Sequence, residues 1–109
     1  FTGYTAVHKG LDFAGPEGTK VVSVAAGLVT YAGERSGFGE MVEINHGNGM
    51  ATRYCHNEKL LVKQGDMVRK GQELALMGST GRSTGPHLHF EVLKNGTQVD
   101  PLRFIGEDR

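Results

Sequence analysis

Several features that would assign a chain to a broad class are missing from these 109 residues. Cys55 is the only cysteine, so an intrachain disulfide cannot form. The cysteine count therefore does not distinguish an oxidising compartment from a reducing one. No apolar run is long enough to span a bilayer, and no signal peptide is present. Twelve basic residues balance twelve acidic ones without a basic and aromatic cluster, which argues against nucleic acid as a partner.

The single thiol is predicted to be a small buried hydrophobe. A nucleophilic cysteine needs an activating base, and on a strand the adjacent His56 points to the face opposite Cys55. The sequence therefore gives no support to a cysteine enzyme.

Glycine is abundant, with 17 residues, whereas apolar residues make up only 38% of the chain. This balance predicts short strands and tight turns rather than helices. The length fits one domain covering residues 1–109. Because the first residue is Phe rather than Met, we expect the chain to be the C-terminal part of a longer protein.

β-branched residues occur in short runs bounded by glycine, which is the pattern of antiparallel strands joined by hairpins. Residues 1–7 are expected to be irregular, residues 60–77 to form very short strands and turns, and residues 78–85 to form a flexible lip beside a binding site. Asp100 and Pro101 begin a short final turn. The strand-like runs are Val21–Val24, Leu28–Tyr31, Met41–His46, Ala51–His56 and His87–Glu91.

The segment Gly85–Glu91 carries the strongest chemical signal. Side chains two apart on a strand share a face, so His87 and His89 stand side by side while Leu88 and Phe90 face the core. Two neighbouring imidazoles can share a metal, or one can bind a metal while the other transfers protons. Two ordinary strand histidines would give the same pattern, so the pair needs partners elsewhere in the chain.

Candidate partners lie in other segments. His8 and Asp12 are separated by an even number of positions and can lie on one side of an extended backbone. His56 ends a strand, where functional side chains collect, whereas His46 flanks a hairpin tip and has no partner nearby in the sequence. A catalytic zinc needs about three protein ligands and an open position. Together with His87 and His89, the residues His8, Asp12 and His56 would supply three ligands and leave two histidines for proton transfer.

Three motifs in fixed order resemble one family. His-x-Gly-x-Asp at 8–12, Tyr-x-His at 54–56 and Gly-Pro-His-Leu-His-Phe-Glu at 85–91 resemble the LytM or lysostaphin-like zinc metallopeptidases of bacterial cell walls. The resemblance runs from His8 to Pro101. It implies an all-β fold of short antiparallel strands in a two-layered, barrel-like arrangement of the duplicated hybrid motif type, with a zinc-bearing groove.

The resemblance also implies a role for each residue. His8, Asp12 and His89 would bind one Zn2+, and His56 and His87 would flank the reaction centre. One of these two histidines would take the proton of the attacking water while the other stabilises the oxyanion, and the sequence leaves open which does which. Zinc would lower the pKa of its bound water to about 7 and polarise the scissile carbonyl.

Two further residues are candidates beside this set. Glu91 shares the face of His87 and His89 and would orient a ligand from behind the metal site, with an exposed or purely structural carboxylate as the alternative. Tyr4 precedes the first ligand in the chain and would contact the substrate.

The implied function is that of a zinc-dependent endopeptidase that hydrolyses peptidoglycan stem-peptide cross-links between D-alanine and diaminopimelate. Arg82 and the segment 83–86 resemble the branch found in Gram-negative envelopes. The expected location is therefore the bacterial cell envelope, periplasmic or secreted. Upstream regulatory or wall-binding domains are expected as well.

Two other functions compete with this one. Degenerate members of the family have lost ligands and activate cell-wall amidases, so a non-catalytic activator or wall-binding module is the first alternative, and the complete residue set argues against it. The second is a carrier or phosphotransfer domain in which His56 or His87 is phosphorylated without a metal.

Overall fold

The computed structural model describes residues 5–7, 10–81 and 85–103 of the chain. The described part is almost entirely antiparallel β-structure, and a single helical turn covers residues 101–103. The predicted all-β fold of short antiparallel strands is confirmed. The strands are β1 (Thr5–Val7), β2 (Gly10–Ala14), β3 (Lys20–Val22), β4 (Gly27–Arg35), β5 (Gly39–Gly47), β6 (Met50–Leu60), β7 (Met67–Val68), β8 (Glu73–Met77), β9 (His87–Lys94) and β10 (Thr97–Val99).

Seven strands form the main path of the sheet in the order β1-β2-β9-β6-β5-β4-β7. Strand β10 pairs with β9, β3 pairs with β8, and β8 pairs in turn with the end of β6. The sheet is not closed. Strands β2, β9 and β6 are therefore neighbours, although β2 and β9 are far apart in the sequence.

The core lies on one face of β2, β9, β6 and β5, as strand alternation requires. Tyr54 and Phe90 are fully buried cross-strand neighbours whose ring centroids lie 5.4 Å apart. Each large apolar side chain buried in this way contributes about 1.5–3 kcal/mol to folding. The other members of this cluster are Leu11, Val21, Val29, Val42, Ile44, Val68, Leu74, Ala75, Met77, Leu88 and Val92.

Strand β6 changes partners at His56. Pairing with β9 ends at Cys55, and Asn57, Lys59 and Leu60 pair with β8, while Asn57 also continues the pairing with β5. His56 has a φ of 67°, in the left-handed region that side chains other than glycine rarely adopt. The backbone at His56 therefore marks the point where β6 exchanges β9 for β8 as its neighbour.

Two asparagine–glycine dipeptides form the tips of hairpins. Asn48 and Gly49 join β5 to β6, and Asn95 and Gly96 join β9 to β10, all four with positive φ. This is the backbone that a tight two-residue hairpin turn demands. The final helical turn also forms, with the Asp100 carboxylate accepting the backbone N–H of Leu102 at 3.0 Å.

The N-terminal prediction is wrong in one respect. Residues 5–7 do not form an irregular segment but strand β1, which pairs with β2 through the registers Thr5 with Asp12 and Val7 with Gly10. Three residues are too few to show a periodic pattern, and this strand exists because β2 offers a free edge. Within the described part of the chain, no helix has the length and apolar character needed to cross a membrane.

Candidate functional site

Strand register assembles the candidate site on the face of the sheet opposite the apolar cluster. Asp12 on β2 pairs with His89 on β9, and Ala14 pairs with His87. Cys55 on β6 flanks His89 on the other side. The structure therefore brings together Asp12, His87 and His89, three of the residues that the sequence singled out.

Asp12 and His89 are in direct contact. The Oδ1 atom of Asp12 lies 2.6 Å from Nδ1 of His89, and Oδ2 of Asp12 lies 4.0 Å from Nε2 of His87. Hydrogen bonding to Glu91 raises the pKa of His89; burial opposes this shift, and Asp12 reinforces it. The pair thus favours positive charge between the carboxylate and the ring.

Glu91 holds the far side of the His89 ring. Its Oε2 atom lies 2.9 Å from Nε2 of His89, and the residue is only 4% exposed. Burial alone would raise the pKa of Glu91, but the hydrogen bond from His89 and the charges of His89 and Arg53 lower it below its usual value. Glu91 is therefore buried and hydrogen-bonded to a residue of the candidate site.

A row of alternating charges continues from Glu91 across the sheet. Nη1 of Arg53 lies 3.5 Å from Oε1 of Glu91, and Nε of Arg53 donates to Oε2 of Glu43 at 2.8 Å. The hydroxyl of Thr30 donates to Oε1 of Glu43 at 2.9 Å. Sequence reasoning missed Arg53, because its contacts come from β5 and β9 rather than from its own strand.

Gly10 makes room for the His89 ring. A Cβ atom at this position would lie 2.6 Å from Cε1 of His89 and 3.1 Å from the carbonyl oxygen of Phe90. A Cβ contact of 2.6 Å does not occur for real side chains, so a larger residue in place of the glycine of the His-x-Gly-x-Asp motif would displace the imidazole of His89 on the neighbouring strand β9.

His56 and His87 approach each other beside this pair. Their ring centroids lie 4.8 Å apart, and the centroid of His56 lies 6.1 Å from that of His89. Nδ1 of His56 donates to the carbonyl oxygen of Thr80 at 2.6 Å, and Nδ1 of His87 donates to that of Gly85 at 2.9 Å. Because a carbonyl only accepts, each neutral ring carries its lone pair on Nε2.

Burial lowers the pKa of His56, and the neighbouring His87 and His89 lower it further. The hydrogen bond to Thr80 and the charge of Asp12 act in the opposite direction without reversing the shift. The neutral form of His56 is therefore favoured near pH 7, and a neutral imidazole can accept a proton.

Thr80 fastens the loop that follows β8. Its hydroxyl accepts the backbone N–H of Glu40 at 3.1 Å and donates to the carbonyl of Asn57 at 2.6 Å, while its own carbonyl accepts from His56. Gly39 and Gly81 allow the two backbones to touch, since a Cβ on Gly81 would lie 2.4 Å from the nitrogen of Gly39. Residues 78–81 are thus tied to β5 and β6 rather than forming a flexible lip.

Two of the predicted site residues lie outside the described residues, namely His8 and Tyr4, and so does Arg82. Across residues 5–7, 10–81 and 85–103, no group of three or more metal-ligating side chains is found. The two predicted ligands that are described do fit zinc, because a carboxylate oxygen and an imidazole nitrogen converge and a second carboxylate orients the ring.

The remaining histidine and the cysteine play structural parts. Nδ1 of His46 lies 2.7 Å from the carbonyl oxygen of Ala26 and Nε2 lies 2.8 Å from the hydroxyl of Thr52, so His46 ties β5 to the segment before β4. Cys55 is fully buried, and burial raises the pKa of its thiol far above its usual value. The thiol is therefore not a nucleophile.

Comparison with known proteins gives a consistent result. The family profile described as "Peptidase family M23" matches residues 6–101. The chain is 46% identical over 96 residues to "DD-carboxypeptidase/endopeptidase Mpg" of Neisseria meningitidis, covering 88% of this chain and 22% of that protein. It is 45% identical over 102 residues to "Peptidoglycan DD-endopeptidase ShyB" of Vibrio cholerae, covering 94% of this chain and 24% of that protein. The chain thus spans about a quarter of the length of these relatives.

Solved structures agree with the sequence comparison. A putative peptidase M23 from Pseudomonas aeruginosa superposes with a TM-score of 0.89 at 43% identity, covering 94% of this chain and 46% of that one. A zinc containing peptidase from Vibrio cholerae superposes with a TM-score of 0.82 at 47% identity, covering 85% of this chain and 29% of that one.

Proposed function

Because the chain belongs to peptidase family M23, we propose that it is a zinc-dependent endopeptidase that hydrolyses peptide cross-links of bacterial peptidoglycan. The proposed bond joins D-alanine to diaminopimelate, and the proposed location is the cell envelope, where that substrate occurs. The observation that carries the proposal is the contact between Asp12 and His89, with the rings of His56 and His87 beside it. The relatives named as peptidoglycan endopeptidases support the substrate class.

The proposed zinc ligands are His8, Asp12 and His89. Zinc bound there would supply Lewis-acid activation of the attacking water and of the scissile carbonyl. Two described features support this assignment. Asp12 and His89 already converge, and the hydrogen bond from Nε2 of His89 to Glu91 directs the Nδ1 lone pair towards Asp12.

Proton transfer is assigned to His56 and His87. Both rings donate Nδ1–H to a backbone carbonyl, so Nε2 is the atom that each can offer to the reaction. One of them accepts the proton of the attacking water, and the protonated ring is then able to stabilise the oxyanion and return the proton to the leaving amine.

Glu91 and Arg53 are proposed to act through His89. Glu91 fixes the tautomer and rotation of the ring, and Arg53 holds Glu91 ionised by pairing with its other oxygen. Tyr4 stays a proposed substrate contact at the N-terminal side of the first ligand.

The test is a metal analysis of the purified protein together with an assay on purified sacculi. We expect about one zinc per chain, release of uncross-linked muropeptides, loss of activity on chelation and recovery on adding zinc. The variants Asp12→Ala and His89→Ala should lose both zinc and cleavage, while Glu17→Gln, at an exposed turn, should keep both. Cleavage that survives complete metal removal would contradict the proposal, and zinc binding without cleavage would favour a wall-binding or regulatory module.

A further inference from the structure

Arg53 is shared between two carboxylates on the face of the sheet that carries the candidate site. Glu43 on β5 pairs directly with Arg53 on β6, and Arg53 pairs directly with Glu91 on β9. Directly paired residues stand side by side on one face of a sheet. The side chains of Glu43, Arg53 and Glu91 are 22%, 16% and 5% exposed, so solvent screens their charges only in part.

The two carboxylates hold Arg53 unequally. Nε of Arg53 donates to Oε2 of Glu43 at 2.8 Å, whereas Nη1 of Arg53 lies 3.5 Å from Oε1 of Glu91. The second contact is an ion pair without a hydrogen bond, because Oε1 of Glu91 accepts none from the guanidinium. Glu43 is therefore the closer partner of Arg53.

Glu43 and Arg53 are themselves held in place by residues outside the metal site. The hydroxyl of Thr30 on β4 donates to Oε1 of Glu43 at 2.9 Å. The ring centroid of Phe38 lies 5.9 Å from Cζ of Arg53, within the range of cation–π attraction. These two contacts fix the guanidinium beside Glu43.

This arrangement leaves the carboxylate of Glu91 available to His89. Oε2 of Glu91 lies 2.9 Å from Nε2 of His89. A two-point hydrogen bond from Arg53 would compete for the same carboxylate, because such pairs are among the strongest that a guanidinium forms. If position 43 lost its charge, Glu91 would be the one carboxylate within ion-pair distance of Arg53 in the described part of the chain, and the guanidinium would move towards it.

We infer that Glu43 is a positioning residue of the metal site. By retaining Arg53, it keeps the charge of Glu91 directed at the Nε2–H of His89, and it thereby strengthens the binding of zinc at Nδ1 of that ring. Glu43 acts through two other side chains and not by contact with the metal. The inference rests on the proposed function, which makes His89 a zinc ligand.

The test measures zinc affinity, by competition with a fluorescent chelator, in a double-mutant cycle of Glu43→Gln and Glu91→Gln. We expect Glu43→Gln to weaken zinc binding about threefold, the size of a partly exposed charge contact, and Glu91→Gln to weaken it about tenfold. Because Glu43 acts through Glu91, the double variant should also lose about tenfold, whereas independent effects would give roughly thirtyfold. Glu34→Gln removes the same charge at an exposed position of β4 and should bind zinc as the wild type does.

A second measurement on the single variant does not depend on the stability of the double variant. In the zinc-loaded protein, the Nε2–H proton of His89 should give a downfield NMR signal because it is hydrogen-bonded to Glu91. Glu43→Gln should move this signal upfield, and Glu34→Gln should leave it in place. A purely structural role of Glu43 would lower the melting temperature without moving the signal.

The inference and the proposed function fail in different ways. Unchanged zinc affinity in Glu43→Gln, or an equal loss in Glu34→Gln, would overturn the inference alone. So would a roughly thirtyfold loss in the double variant or an unmoved Nε2–H signal in Glu43→Gln, since Glu43 would then act only as a distant charge. If the wild type binds no zinc, or if Asp12→Ala and His89→Ala bind it as tightly as the wild type, the proposed function is overturned and the inference with it.

Discussion

The two nitrogen atoms of His89 face two different carboxylates: Nε2 lies 2.9 Å from Glu91 and Nδ1 lies 2.6 Å from Asp12. A carboxylate only accepts hydrogen bonds, so a neutral ring that donates Nε2–H to Glu91 turns its Nδ1 lone pair towards an oxygen of Asp12. That arrangement is repulsive until a cation lies between the two atoms. Glu91 therefore converts the contact between Asp12 and His89 into a site for positive charge, filled by a proton or by a metal.

Replacing Glu91 by Gln should weaken zinc binding. The amide has nearly the same shape, but it cannot supply the negative charge that raises the basicity of His89, and it leaves Arg53 with one carboxylate instead of two. We expect a loss of about tenfold or more in zinc affinity, as for other carboxylates that support a metal-binding histidine. Competition with a fluorescent chelator measures this, with Glu17→Gln as the exposed control, and unchanged affinity would show that Glu91 is only structural.

Replacing Gly10 by Ala should displace the His89 ring. The new methyl group would lie 2.6 Å from Cε1 of the ring, and the ring can move only by lengthening its contacts with Asp12 and Glu91. We expect roughly tenfold weaker zinc binding together with a lower melting temperature. The matched control is Gly33→Ala on β4, where a Cβ would have no neighbour within 4 Å. Equal zinc affinity in both variants would mean that the ring is not held where the structure places it.

The sequence alone was sufficient to predict which side chains of β9 face the candidate site. Strand alternation places His87, His89 and Glu91 on one face, because the period of a strand is fixed by the backbone itself. It does not place Asp12 opposite His89, since that depends on the register between strands separated by more than seventy residues. Only the resemblance to a known family joined those two residues.

The residues that sequence reasoning missed share a physical cause. Arg53, Thr80 and Gly10 act through neighbours on other strands or loops, and nothing in their own local pattern signals this. Strand β1 was missed for a related reason: its three residues pair with β2 without showing a periodicity of their own. A local sequence pattern predicts individual strands and turns. Contacts between strands depend on how the strands pair in register, which a local pattern does not reveal.

Replacing Thr80 by Val should impair catalysis without removing the metal. The hydroxyl joins β5 to β6 by bonding to Glu40 and Asn57, and it thereby holds the carbonyl that fixes the His56 tautomer. We expect kcat to fall, zinc content to stay unchanged, and the free energy of unfolding to fall by about 1–3 kcal/mol, because Val leaves polar backbone groups without partners. Thr80→Ser keeps the hydroxyl and should recover most of kcat. Loss of zinc in Thr80→Val would instead show that the loop supports the metal ligands directly.

At position 56, glycine should give a more stable protein than alanine, which is the reverse of the usual order in a strand. In a strand, alanine is normally more stable than glycine by about 0.5–1 kcal/mol. At the φ of 67° adopted by His56, the backbone conformation costs a residue with a Cβ about 1–2 kcal/mol in steric energy, and it does not cost glycine this amount. The backbone bonds of this residue to Phe38 and Gly78 persist in both variants, so His56→Gly should exceed His56→Ala in free energy of unfolding by roughly 1 kcal/mol. Urea denaturation measures the difference, and the same pair of substitutions at exposed Lys59 of β6, which has no positive φ, should give the ordinary order. An advantage for alanine at both positions would mean that β6 passes from β9 to β8 without a left-handed residue at position 56.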